Sequence, residues 1–211
     1  KICFLFTGGR KNILSDVQGG KAPSEFFYGA PELAKRGYNV EYLEYTDFNF
    51  NDKPSKFLFF RKPNLARTLG KTENLKKLNS ADFLVATTNG YGSALAQLKA
   101  EKKLTATVLF LPMGILELGS GTARKEVVRK ILSPVISLVI SKNETDYLHK
   151  EFPDLKNQIH YLSFGVDTNF WQPLPNDTRY AIRDTPYVLS IGNDSHRDYE
   201  LLIKSWKPSY P

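Results

Sequence analysis

The sequence predicts an α/β domain built on a Rossmann-like, doubly wound parallel sheet. Short runs of apolar, β-branched or aromatic residues alternate with longer stretches of helical periodicity, a pattern typical of βα units. The residues at a predicted helix end agree with this class. Gly37 follows the basic C-terminal turn of a predicted helix, where glycine can adopt the left-handed conformation that terminates a helix. A strand, a glycine and a helix follow a later polar linker, which indicates the first βα unit of a second domain.

The alternation assigns six strands and five helices to the first domain. The predicted strands cover residues 1–7, 38–44, 83–87, 105–111, 138–141 and 159–162. The predicted helices cover residues 24–36, 66–79, 93–102, 122–132 and 143–151. Pro31 lies inside the first of these helices, so we expect a kink or a break there. Ser141 precedes the last helix with Glu144 three residues later, which predicts a capping box. The predicted loops cover residues 8–21, 45–56 and 112–121.

The composition is that of an ordinary globular protein. The 211 residues, 41% hydrophobic and 24% charged, are enough for one substantial domain and part of another. The apolar runs fall far short of the ~20 residues that a membrane span requires, and no secretory signal is recognisable. The single cysteine, Cys3, reads as a buried apolar residue, and the lack of an intrachain disulfide fits a reducing compartment. The sequence therefore indicates a cytoplasmic protein.

The net charge of +7 favours an anionic partner. Nucleic acid, an anionic membrane surface and a phosphorylated small molecule are the candidates. Nucleic acid is the least favoured, because the basic residues are dispersed and no nucleic-acid-binding motif is present. Basic helices and the aromatic residues Phe57, Phe59 and Phe60 leave open a peripheral contact with the inner face of a membrane. Buried packing explains these aromatics equally well.

The stretch at residues 164–173 reads Phe-Gly-Val-Asp-Thr-Asn-Phe-Trp-Gln-Pro and leads from the last predicted strand into a polar linker. Gly165 allows a sharp turn at the strand exit, and Asp167 can cap the turn that follows. An ordinary strand exit held by two aromatics explains this stretch as well as a hinge does. We interpret it as a hinge, because a fresh βα unit follows. The predicted organisation is a first domain at 1–172, a linker at 173–186 and the start of a second domain at 187–211.

This stretch resembles the Gly-Val-Asp-x-x-x-Phe-x-Pro signature that closes the first domain of family 4 (group 1) retaining glycosyltransferases, with Trp171 where phenylalanine is usual. Residues 33–40, Leu-Ala-Lys-Arg-Gly-Tyr-Asn-Val, are similar to the family's Leu-Ala-x-x-Gly-x-x-Val helix end. Residues 138–148 are similar to its strand, serine and helix passage. The resemblance implies a GT-B fold, of which this chain is the amino-terminal, acceptor-side domain with the first βα unit of the donor-binding domain. We therefore expect the chain to be part of a longer protein.

Gly19 and Gly20 precede the first predicted helix, where backbone N–H groups and the positive end of the helix dipole can bind phosphate. A flexible turn is the alternative, and the spacing differs from the G-x-G-x-x-G fingerprint of a nicotinamide site. In the family this loop lies against the donor diphosphate and the acceptor. The resemblance thus implies that Gly19, Gly20 and Lys21 bind substrate.

Two further loops resemble the family's acceptor side. Asn89 and Tyr91 follow the third predicted strand and can hydrogen-bond a sugar, although such residues in loops are more often structural. Met113 and Gly114 follow the fourth strand, and Met113 stands where the family usually has histidine. Packing explains Met113 equally well.

Arg197 lies at the start of the last predicted helix, where the resemblance implies a contact with the donor phosphate, since a guanidinium suits that geometry. A surface arginine at a helix start is the alternative. The three histidines share no metal-ligand spacing, so no metal site and no cofactor are expected. Catalytic residues cannot be assigned.

The resemblance implies that the full-length protein moves a sugar, with retention, from a nucleotide-diphosphate donor to an acceptor that is a sugar, a lipid or a small molecule. This chain alone should be inactive, because the family's paired glutamates that grip the donor belong to the second domain. The alternative is a non-catalytic Rossmann-like module that binds a phosphorylated ligand or a protein partner.

Overall fold

The computed structural model describes residues 1–48, 65–115, 122–172 and 199–207. Within these residues the chain forms one parallel sheet of six strands in the order β2-β1-β3-β4-β5-β6. The strands are β1 Ile2–Phe6, β2 Val40–Glu44, β3 Phe83–Ala86, β4 Thr107–Phe110, β5 Ile136–Val139 and β6 Ile159–Tyr161. The predicted α/β class with a Rossmann-like parallel sheet is thus confirmed.

Helices connect these strands. The α-helices are α1 Arg10–Gln18, α2 Ala30–Lys35, α3 Leu65–Leu69, α4 Thr72–Leu78, α5 Asn89–Ala100, α6 Thr122–Leu132, α7 Lys142–Glu151 and α8 Tyr199–Ser205. Short 3₁₀ helices occur at Glu25–Phe27, Tyr45–Asp47 and Pro153–Gln158.

The two faces of the sheet support separate hydrophobic clusters, as the alternation of side chains along a strand requires. On β1, Cys3 and Leu5 join the larger cluster, to which α3 through α7 contribute, whereas Phe4 and Phe6 join the smaller one. The smaller cluster is covered by α1, the 3₁₀ helix Glu25–Phe27 and α2. Helices on both faces make the fold doubly wound.

Each of the six strands predicted for the first domain is present, and the bounds differ by at most two residues at either end. The largest shift is in β5, which was predicted to begin at Leu138 and begins at Ile136, where it pairs with Leu109 of β4. Cys3 is buried, as predicted.

The prediction of a loop over residues 8–21 is wrong, since α1 occupies Arg10–Gln18. The helix is polar and has no buried residue, so it lacks a strong apolar face. Ile13, Leu14 and Val17 nevertheless pack on the smaller cluster at helical spacing. That spacing was the signal by which the helix could have been found.

The expected break near Pro31 is confirmed. The 3₁₀ helix Glu25–Phe27 ends at Tyr28 (φ 52°), Gly29 follows at φ 82°, and α2 then starts with Pro31 in its first turn. Proline suits that position because its missing N–H would have no partner there. Gly37 has φ 87°, the left-handed conformation predicted for it.

Two other helix predictions need correction. The helix predicted at 66–79 is divided at Gly70 into α3 and α4. The helix predicted at 93–102 begins instead at Asn89, because Thr88 acts as its N-cap and accepts a hydrogen bond from the Tyr91 N–H.

The chain divides into two compact units, Lys1–Trp171 and Gln172–Pro211. In the second unit the structure describes α8, whose Leu201 and Ile203 are exposed. The predicted linker at 173–186 and the predicted strand at 187–191 lie outside the described residues. Among the helices in the described ranges, none is long and apolar enough to cross a membrane.

Candidate functional site

The sheet order has a switch point between β1 and β3. The chain passes from β1 outward to β2 and then returns across β1 to β3. The following helices, α1 and α5, pack on opposite faces of the sheet. In open α/β sheets, ligands bind outside the carboxyl ends of the strands, most often at such a point. A site is therefore expected in the loops that follow the strands.

The N-terminus of α1, which follows β1, is occupied by the carboxylate of Glu44. The Gly9 N–H donates to Glu44 Oε2 at 3.2 Å, and the Lys11 N–H donates to Oε1 at 2.5 Å. Glu44 is buried and lies at the end of β2. A side chain of the protein thus fills the position where a helix N-terminus could bind an external phosphate.

Asp47 completes this arrangement. Its Oδ2 accepts hydrogen bonds from the Glu44 N–H at 2.7 Å and from Lys11 Nζ at 2.5 Å. Partial burial disfavours the charged carboxylate of Asp47, but these two donors outweigh that effect and hold its pKa below the ordinary value. The loop after β1 is therefore closed by a charge network of the protein itself.

Gly19, Gly20 and Lys21 lie at the C-terminus of α1, so the prediction that they lie at a helix start is wrong. The next helix along the chain is the 3₁₀ helix Glu25–Phe27, with Ser24 as its N-cap. The N–H groups of Gly19, Gly20 and Lys21 donate to the carbonyls of Ser15, Val17 and Asp16 at 2.9, 3.1 and 2.7 Å. Gly20 has φ 69°, a conformation that serves to end a helix. These amides have internal partners, and the carbonyl end of a helix dipole does not favour an anion. A role of the three residues in substrate binding stays a prediction.

The loops after β3 and β4 are joined by Asn89. Its Nδ2 donates to the Met113 carbonyl at 2.7 Å, and its Oδ1 accepts from the Met113 N–H at 3.1 Å. Gly114 follows at φ 62°, and the Ile115 N–H donates to Glu144 Oε1 at 3.0 Å. The structure thus brings Asn89, Met113 and Gly114 together, and both polar atoms of Asn89 have backbone partners.

The capping box predicted for Ser141 and Glu144 is only half formed. Ser141 accepts a hydrogen bond from the Glu144 N–H at 3.3 Å and is the N-cap of α7, as predicted. The carboxylate of Glu144 accepts from Ile115. The reciprocal half of the box is wrong, because a tertiary contact with the loop after β4 uses the carboxylate instead.

Tyr91 is a core residue. It is 4% exposed, its ring lies 6.5 Å from that of Phe48, and its buried hydroxyl has no hydrogen-bond partner among the described residues. Burial raises the pKa of Tyr91, and the nearby Tyr45, Asp47 and Glu44 raise it further. The predicted sugar contact would therefore require this side chain to become accessible.

An open cavity of about 310 Å³ lies at the carboxyl ends of the strands on the α2 side. One wall follows directly after β4, β5 and β6, and the other is the segment that contains the 3₁₀ helix and the start of α2. The described residues that line it are Ser24, Glu25, Tyr28, Gly29, Glu32, Leu111, Ile140, Leu162, Ser163, Phe164, Gly165, Val166 and Asp167. Gly165 and Asp167 are predicted hinge residues. The other predicted site residues at Gly19–Lys21, Asn89, Tyr91, Met113 and Gly114 do not appear among them.

Asp167 and Glu25 form a reciprocal clasp beside this cavity. The Ser24 N–H donates to Asp167 Oδ2 at 3.1 Å, and the Asp167 N–H donates to Glu25 Oε2 at 3.2 Å. Glu25 Oε1 also accepts from the Trp171 indole N–H at 2.7 Å. The clasp joins the segment that leaves β6 to the segment that covers the smaller cluster.

Asp167 also caps the turn that follows it, as the sequence predicts. Its Oδ1 accepts from the N–H groups of Asn169 and Phe170 at 3.2 and 3.1 Å. The hydrogen bonds from the side chain and backbone of Ser24, together with those of the turn, hold the pKa of Asp167 below its ordinary value. Asp167 is thus a charged carboxylate at neutral pH with donors on two sides.

Tyr28 shapes the opposite wall. Its φ of 52° is uncommon for a bulky residue, and its ring packs edge-on against Phe164 with a centroid distance of 6.1 Å. The left-handed backbone positions the ring in the cavity lining. Local sequence patterns signalled neither Tyr28 nor the carboxylates of Glu25 and Glu44, because each of these acts through partners far away in the chain.

Arg197, the predicted phosphate contact, lies outside the described residues. Within the described ranges no cluster of three or more His, Cys, Asp or Glu side chains could hold a metal ion. Nε2 of His149 lies 2.9 Å from the Ile159 carbonyl oxygen, so this side chain links α7 to β6. The strongest candidate for a ligand site in the described chain is therefore the cavity beside Asp167.

No protein-family model matches this chain, and no curated protein matches it either.

Proposed function

We propose that this chain is the amino-terminal, acceptor-side part of a cytoplasmic glycosyltransferase that moves a sugar from a nucleotide-diphosphate donor to an acceptor, with retention. The observation that carries the proposal is the position of Asp167. The aspartate of the Gly-Val-Asp stretch lies on the wall of a cavity of ligand size, at the carboxyl edge of a doubly wound sheet. Such an edge is where ligands bind in this class of fold.

The chemistry of the cavity suits an acceptor better than a donor. Its described lining has carboxylates at Glu25, Glu32 and Asp167 together with apolar side chains. Carboxylate oxygens accept hydrogen bonds from hydroxyl groups, whereas they repel a diphosphate. In this proposal the donor phosphates bind elsewhere, with Arg197 as one of their ligands.

The proposal is tested on the complete product of the gene, with the 211-residue chain as the matched control. We expect thermal stabilisation of the complete protein by at least one of uridine, guanosine or adenosine diphosphate, because a ligand that binds only the folded state raises its stability. The 211-residue chain should show no such shift. Absence of a shift for the complete protein with all three nucleotides would count against the proposal.

A second candidate is a non-catalytic module that binds a protein partner. Tyr161, Leu162, Phe164 and Val166 are exposed in and after β6, which pairs only with β5 in the described sheet. Exposed apolar surface beside an open sheet edge is typical of a protein interface. The reading frame beyond Pro211 discriminates the two: a second α/β domain with paired glutamates supports the transferase, and a stop codon supports the binding module.

A further inference from the structure

The body of the cavity is apolar and accessible. Leu162, Phe164 and Val166 are 43%, 47% and 62% exposed, and Leu111 and Ile140 line the cavity beside them. Concave apolar surface of this kind binds the apolar part of a ligand. The T-shaped pair of Tyr28 and Phe164 provides aromatic edges and faces for a ring.

The rim of the cavity is acidic, in contrast to the net charge of +7 of the whole chain. Glu25, Glu32 and Asp167 all line it, and Lys, Arg and His are absent from its described lining. Glu25 and Asp167 accept hydrogen bonds from uncharged N–H groups, so both keep their negative charge uncompensated by a direct ion pair among the described contacts. A ligand in this cavity therefore meets negative potential.

Two cations lie near the rim without reversing its charge. Lys35 Nζ binds Glu32 Oε1 at 2.7 Å, in a pair whose side chains are 71% and 54% exposed. Arg10 lies over the ring of Phe26, 5.2 Å from its centroid. Lys35 also interacts electrostatically with Asp167. The three carboxylates exceed these two cations, so the rim keeps one negative charge in excess.

We propose that this cavity binds a small organic cation, an ammonium group carried on an aromatic or alicyclic body. The ring packs against Phe164 and Tyr28, and the ammonium lies at the acidic rim. A volume of about 310 Å³ is at the lower end of small-molecule sites, so the ligand is compact. The proposal concerns binding only and stands whether or not the protein transfers a sugar.

The test uses three probes of matched size on the 211-residue chain at neutral pH: 2-phenylethylamine, 2-phenylethanol and 3-phenylpropanoate. Binding is followed by NMR through the indole N–H of Trp171, which donates to Glu25 at the cavity. We expect saturable binding of the amine with a dissociation constant on the order of 1 mM. The alcohol should bind more weakly and the carboxylate without saturation, because their charges are zero and negative.

Glu32→Gln removes one rim charge and should weaken the amine roughly two- to fivefold while leaving the alcohol unchanged. Glu126→Gln is the matched control, since Glu126 is an exposed residue of α6 and its loss changes the net charge equally. Phe164→Ala should weaken the binding of both the amine and the alcohol. The proposal would be overturned if the carboxylate bound as tightly as the amine or more tightly, or if the amine failed to saturate the Trp171 signal. It would also be overturned if Glu126→Gln weakened amine binding as much as Glu32→Gln does.

Discussion

The carboxyl edge of the sheet is closed over β1 and β2 and open over β4 to β6. On the closed side, the Glu44 carboxylate takes up the N–H groups at the start of α1, and Lys11 pairs with Asp47. On the open side, Glu25 and Asp167 hold two chain segments together around a cavity. Carboxylates organise both sides; those of the open side line a space of ligand size, whereas Glu44 and Asp47 are not among the described residues that line it. A glycine-bearing loop at a helix N-terminus is therefore no phosphate site when an internal anion already occupies it.

The largest effect is expected from Gly92→Ala. It tests whether the close packing of α5 on β4 maintains the carboxyl edge of the sheet. A Cβ at Gly92 would lie 2.1 Å from Phe110 of β4, so α5 or the ring must move. We expect a loss of about 3 kcal/mol in the free energy of unfolding, measured by urea denaturation. Gly90→Ala is the control in the same helix, where the nearest side-chain atom is 3.9 Å away. Similar losses for both variants would contradict this reading.

Glu44→Ala should open the closed side. Loss of a buried carboxylate that accepts the N–H groups of Gly9, Lys11 and Asp47 should cost about 2 kcal/mol of folding stability. The vacated N-terminus of α1 should then bind an anion, so sulfate should raise the melting temperature of the variant more than that of the native chain. Glu126→Ala, an exposed change of equal charge, should show neither effect. If sulfate stabilises all three proteins to the same extent, Glu44 does not occupy an anion site.

Tyr91→Phe tests a residue near the closed side. The family resemblance predicts that this residue binds substrate. In the part of the chain that the structure describes, the buried Tyr91 hydroxyl has no hydrogen-bond partner, and such a group costs about 1 kcal/mol or more. The variant should therefore be more stable by about 1 kcal/mol in urea denaturation. A loss of stability would show that the hydroxyl has a structural partner, and a loss of acceptor binding in the complete protein would support the predicted contact.

The clasp on the open side should weaken in acid. Hydrogen bonds from Ser24 and from the turn hold the folded-state pKa of Asp167 below its ordinary value, so its contribution is fully present above the unfolded-state pKa and is lost as the pH falls through the folded-state pKa. The amide signals of Ser24 and Phe170 should shift together in an NMR titration, with a midpoint below that of aspartate in an unstructured peptide, while the Leu95 amide in the core stays unchanged. A midpoint at or above that of the peptide would contradict the clasp. Asp167→Asn at pH 6 should reproduce the shift of the Ser24 amide, since it removes the charge.

The strands were predictable because their signal is local. Runs such as that around Leu84 and Val85 alternate between the two hydrophobic clusters, and periodicity alone reveals them. Helix α1 was not predicted because it is polar and has no buried residue. The side chains that it packs on the smaller cluster are only partly buried, so its apolar periodicity is faint. Of the candidate site, the capping role of Asp167 was predictable, since its partners Asn169 and Phe170 are its neighbours in sequence.

Local patterns were thus sufficient for the fold class, for the βα alternation and for the turn at Asp167. The occupant of the α1 N-terminus, the burial of Tyr91 and the cavity itself depend on the folded arrangement. Glu44 reaches Gly9 across 35 residues, and Asp167 reaches Ser24 across 143. The physical reason is that a carboxylate can satisfy any N–H group within about 3 Å, and only the packing of distant segments determines which group that is.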